Sequence, residues 1–187
     1  MKMALQYPVL YKSTDARTDQ IVKQAVETAV KDAENLWAPE KFDGVYPIKG
    51  FGISRLKAAD LVAAGSIVGP YTYMFTWSVA TASAWETYIN DITLSNASYA
   101  VLVGVFNLDA TPDVEAIKIK ADGVEYPVID LNEMYGWDVA VAYFSHPIIV
   151  RPEKKIAIKC KARTVGRKNI GFIGYVIAKR SYLIGEL

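Results

Sequence analysis

Histidine and cysteine are almost missing from this chain: His146 and Cys160 stand alone among 187 residues. One cysteine excludes an intrachain disulfide, and one of each excludes a His/Cys zinc set. Neither a GxGxxG fingerprint nor a Lys-Ser/Thr phosphate loop occurs, although GFGIS and GRKNIGFIG carry glycines. The start, MKMALQYPVL, lacks the long apolar stretch of a signal peptide, so the chain reads as made and folded in a reducing interior. Charge is missing from Leu61 to Trp85, which raises a membrane question. Gly69-Pro70 interrupts that segment, and Tyr71, Tyr73, Phe75, Trp77 and Val79 then alternate with smaller or polar residues. A two-residue period belongs to a strand, so no membrane span is expected.

What is present is ordinary for a folded domain: 52% hydrophobic residues, 22% charged, and a net charge of +1. The near-neutral total conceals opposed blocks. Residues 61–150 hold Lys118 and Lys120 against 10 carboxylates, whereas residues 151–187 hold 10 basic side chains and 2 acidic ones. Total charge therefore says little about partners.

Three regions are expected. Residues 1–37 read as an extended arm followed by an amphipathic helix, capped by Ser13 or Thr14 and stopped before Pro39. The helix's apolar side is Ile21, Val22, Ala25, Val26, Ala29, Ala33 and Leu36. Residues 38–69 form a Gly- and Pro-punctuated connector with a short helix from Ser54 to Ala64. Residues 70–187 form the main domain. Its strands are expected at 71–80, 85–94, 99–108, 114–120, 124–130, 137–144, 147–151, 155–163 and 170–179, with a hairpin at Asp122-Gly123. So many short strands without helical crossovers predict a mainly β protein, an antiparallel β-sandwich whose natural eight-stranded form is the jelly roll.

Candidate chemistry is thin. His146 is the general-base candidate, set against a turn residue whose ring bonds locally. Cys160 lies on the apolar parity of its strand and reads as a small buried hydrophobe. Asp109 and Asp113 fall short of a calcium loop, and Asp109 reads as a cap for the turn at Thr111-Pro112. No catalytic residue, cofactor or metal is expected, so the chain reads as not an enzyme.

Surface patterning is richer. In KKIAIKCKAR, residues 154–163, Ile156, Ile158, Cys160 and Ala162 share one parity and Lys155, Lys159, Lys161 and Arg163 the other. A strand would bury the first row and display the second, which Arg167 and Lys168 would extend. Three readings follow: a solvated face, a contact with the acidic block of another subunit (Glu115, Asp122, Glu125), or a contact with nucleic-acid phosphates. The apolar arm and alanine-rich helix add to the subunit reading, since a closed sandwich does not need them.

The phrases ADGVEYPVIDL, SHPIIVRPEKKIAIKCKA and NIGFIGYVIAKR, within residues 70–180, resemble single jelly-roll virion structural proteins: capsid, turret and decoration domains. The resemblance implies a self-assembling, non-catalytic virion component, with copies of itself and other virion proteins as partners. Six Asn and three Gln, with one Cys and one His, are similar to proteins of hot-environment hosts, which suggests a thermophile virus. The alternative is a carbohydrate- or receptor-binding sandwich, prompted by Trp85, Tyr88, Tyr135 and Trp137 near strand ends.

Overall fold

The computed structural model describes residues 10–37, 51–61 and 74–179. Among these residues, eleven strands make two antiparallel sheets. The first runs β1 (Leu10–Lys12), β9 (Val141–Val150), β5 (Ser98–Asn107), β11 (Gly166–Lys179), β2 (Phe51–Arg55), and β3 (Met74–Val79) also pairs with β11. The second runs β4 (Trp85–Thr93), β10 (Lys155–Ala162), β6 (Val114–Ala121), β7 (Val124–Glu125), and β8 (Ile129–Asp130) also pairs with β6. The chain is a β-sandwich, as its alternation predicts.

The pairing from β3 onward is nested. β3 pairs with β11, β4 with β10, β5 with β9, and β6 with β7 and β8, so the first strand meets the last and the middle strands meet each other. Asp122 and Gly123, with φ of 51° and 77°, turn the chain at the centre of that nest. Positive φ at two successive positions suits Asp-Gly, and the expected hairpin is there.

Between the sheets, Ile117, Ile119, Ile156, Ile158 and Cys160 meet Leu102, Phe144, Ile148, Ile170 and Phe172 in one core. Every residue of β5 is buried, because its other face lies under helix α1 (Ala16–Trp37). Ala25, Ala29 and Ala33 of α1 let that helix sit close on Tyr99, Val101, Val103 and Ile177. The layers are thus helix, six-stranded sheet, five-stranded sheet.

Several expectations need correction. Residues 10–37 pack on their own chain: β1 pairs with β9, Leu10 is buried, and α1 lies on its own sheet, while the rest of the expected arm, residues 1–9, lies outside the described residues. The helix cap is Asp15, not Ser13 or Thr14, for its Oδ1 accepts the Arg17 backbone N–H at 2.9 Å. Hydrogen bonds from the Arg17 side chain and backbone hold the Asp15 carboxyl down at about 2. Leu36, assigned to the apolar side, is 53% exposed, and Trp37 packs instead. The two strands expected at 137–144 and 147–151 are one, β9, with a register slip that leaves His146-Pro147 opposite no residue of β5. A bulge tolerates proline's missing N–H, so Pro147 breaks the ladder without ending the strand. Strand β2 and helix α2 (Asn132–Gly136) were not foreseen, and the short helix after Ser54 is a 3-10 turn, Ala58–Leu61. Ser54 and Arg55 belong to β2 instead, and the expected connector at 38–50 and residues 62–73, with the end of the expected helix, lie outside the described residues. No helix among the described residues is long and apolar enough to cross a membrane.

Candidate interaction face

Strand β10 alternates as its sequence demands. Ile156, Ile158, Cys160 and Ala162 are buried, while Lys155 and Lys159 are exposed and Lys161 is half-buried. The lysines therefore stand on the outer face of the five-stranded sheet. The basic row expected to continue through Arg167 and Lys168 ends at Arg163. The chain there crosses to the other sheet, which separates exposed Arg167 from the lysine row. Lys168 is a plain correction: it points into the sandwich end and is only 6% exposed. Its Nζ donates to Asp113 Oδ2 at 2.5 Å and to Thr164 Oγ1 at 2.8 Å, and the Thr164 hydroxyl also bonds Asp113. Burial works to raise the Asp113 pKa, but hydrogen bonds from Lys168 and Thr164 outweigh it and leave the carboxyl below its ordinary value.

Most of the basic row already has carboxylate partners in the same chain. Lys155 meets Asp91 at 3.2 Å, and Lys161 and Arg163 meet Glu115 at 3.3 Å. Arg151 and Lys154 approach Asp122 at 4.0 and 3.7 Å. Glu115 reaches its partners because β6 carries an extra residue there: Lys161 opposes Ala116, and Ala162 opposes Val114. That bulge turns Glu115 outward beside Ala116. Of the three acids expected to face another subunit, Glu115 and Asp122 are therefore satisfied internally. Glu125 closes no ion pair among the described residues.

The uncompensated cations are different ones. Lys159 stands directly opposite Lys118, an unfavourable like-charge juxtaposition across two strands. Lys118 sends its Nζ over the Trp85 ring at 4.4 Å, taking cation–π contact in place of a carboxylate. Lys120 lies opposite Glu125 on β7 without closing an ion pair. The sequence hid this pair because Lys118 and Lys120 belong to the acidic block. Only the β10–β6 register brings them beside Lys159.

Other candidates are absorbed into the structure. Cys160 is wholly buried, and burial pushes its thiol pKa up, away from nucleophilic use. His146 is exposed, with Nδ1 2.8 Å from the Ser145 hydroxyl. Asp109 does not cap the Thr111-Pro112 turn: it accepts from the Asn169 backbone and side-chain N–H groups at 3.0 and 2.7 Å. The aromatics that suggested sugar stacking, Trp85, Tyr88, Tyr135 and Trp137, are each half-buried and engaged within the chain. The Tyr88 ring packs against Trp77 and Phe172, Tyr135 donates to the Val114 carbonyl, and Lys12 lies over Trp137. A separate groove of about 670 Å³ runs between the end of α1 and the β9–β10 turn, floored by Trp37 and Tyr99 and crossed by an Arg151–Asp32 ion pair. Among the described residues, no group of three or more acidic, His or Cys side chains converges as a metal site would require. No protein-family model matches the chain, and no curated protein matches it either.

Proposed function

We propose that this chain is a non-catalytic structural protein that assembles with copies of itself, as a capsid or other virion component built on a jelly roll. The observation that carries the reading is the nested pairing of β3–β11, β4–β10, β5–β9 and β6–β7/β8. Folding a hairpin of that depth over itself yields two four-stranded sheets joined by end loops, the layout of coat and lectin jelly rolls. Fold alone does not assign function, and the surface supplies the further support. Among the described residues, its unpaired charge is arranged as a zoned sheet face. The location that follows is the virion, with other virion proteins as possible neighbours.

Sedimentation velocity over a concentration series tests the reading. Self-assembly requires that mass-weighted sedimentation climb with concentration, from the 20.7 kDa chain to discrete larger species. A single 20.7 kDa species at every concentration and salt condition would remove the proposal.

A further inference from the structure

We infer that the outer face of the five-stranded sheet associates with the same face of a second copy, its central lysines meeting the other copy's rim carboxylates. The inference rests on the self-assembly reading and names the contact.

The face is zoned by charge. Lys118 and Lys159 occupy its centre, side by side on β6 and β10, and no carboxylate lies within ion-pair distance of either among the described residues. Glu125 on β7 and Asp130 on β8 occupy one rim, both exposed. Register places them on the same face as the lysines: Glu125 opposes Lys120, and Asp130 opposes Ala116, itself the partner of Lys161. Asp130 accepts from the Asn132 backbone and side chain but closes no ion pair.

Centre and rim thus carry opposite unpaired charges at a fixed offset. A two-fold axis lying in the plane of the contact, parallel to the strands and between the zones, turns the two faces toward each other and lays each rim over the other copy's centre, so every contact occurs twice. A second copy fits better than a nucleic acid. A polyanion laid across the centre would also meet Glu125, Asp130 and the already paired Glu115 and Asp91, whose charges oppose it. A surface that brings carboxylates to two points and lysines to two others matches the zoning.

Two variants test the contact: Lys118→Glu/Lys159→Glu, whose centre turns acidic, and Glu125→Lys/Asp130→Asn, whose rim turns basic while Asn keeps an acceptor for Asn132. Circular dichroism first verifies that each folds. Each alone is expected to weaken self-association on the order of tenfold or more, since rim ion pairs of modest strength are reversed twice per two-fold contact. An equimolar mixture of the two is expected to restore association, because the acidic centre of one variant then meets the basic rim of the other, while the other half keeps the native match of acidic rim and basic centre. Wild-type association is expected to weaken toward 1 M salt, where the Debye length is about 3 Å. If wild-type protein associates and both variants associate equally well, this contact is wrong while the self-assembly reading stands. If wild-type protein stays monomeric, both fall. If the lysine variant loses binding to a single-stranded oligonucleotide while its association is unchanged, the face belongs to nucleic acid and the inference is overturned.

Discussion

Asp113 and Lys168 meet at the closed end of the sandwich, where neither charge has ready access to water. Removing one member leaves the other buried and unpaired, a cost of about 3–5 kcal/mol. Asp113→Asn is therefore expected to lower unfolding free energy by roughly that amount in urea titrations, and Asp113→Asn/Lys168→Met by clearly less. The pH dependence has a definite sign. The folded carboxyl titrates below its ordinary value, so its stabilising contribution is complete above the unfolded value near 3.9 and fades as pH falls through the folded one. Urea midpoints between pH 5 and pH 2 should show that loss in wild-type protein and a shallower one in the double variant. At the other end of the scale, burial is the main cause that pushes Tyr135 up to about 12. The folded state holds that phenol neutral, so the stability it contributes is full below about pH 10 and is lost as pH rises toward 12. Cys160, wholly buried on the inner row of β10, should resist thiol reagents in native buffer and react once urea unfolds the chain. Rapid native labelling would contradict its placement.

At the scale of elements, two glycines show how closely the central strands approach. A Cβ at Gly104 would lie 2.5 Å from the Ala142 carbonyl oxygen, and one at Gly174 would lie 2.2 Å from that of Val101. Both positions border register shifts, between β5 and β9 and between β11 and β5. Gly104→Ala and Gly174→Ala should each cost about 1–3 kcal/mol or more, because backbone must move to make room. Lys159→Thr should do the opposite and raise thermal stability slightly, by about 0.2–1 kcal/mol, through relief of the Lys118 juxtaposition. Helix α1 tests the cis packing: deleting residues 1–37 would strip Tyr99, Val101, Val103 and Ile177 of cover and leave insoluble or molten protein. A soluble, cooperatively folding truncation would show that the helix is dispensable.

For the molecule as a whole, periodicity made the sandwich legible. Strands with strict alternation or continuous apolar runs, such as 155–163 and 99–108, emerged within a residue or two of their true ends. Legibility failed where tertiary contacts decide. Val124 to Asp130 read as one strand, but Pro127 splits it into two two-residue pieces, and α2 follows with only five residues. The buried alanines of α1 gave no hint of whether the partner sheet was their own or a neighbour's. Likewise, row membership on β10 could be read from parity, but pairing could not. Glu115 reaches Lys161 through a bulge, and Lys118 meets Lys159 through register, both invisible along one strand. Among the described residues, much of the basic row is thus paired within its own chain, and Lys118, Lys159, Glu125 and Asp130 are among the charges that close no ion pair.

Assembly into a regular particle is the central claim, and an electron micrograph of concentrated purified protein tests it most directly. Repeating objects of uniform curvature or diameter are expected, shells, tubes or patches of lattice, which dissociate when salt is raised to 1 M. Fields that show only dispersed single chains of 20.7 kDa, at concentrations and salt conditions spanning low to high, would contradict it.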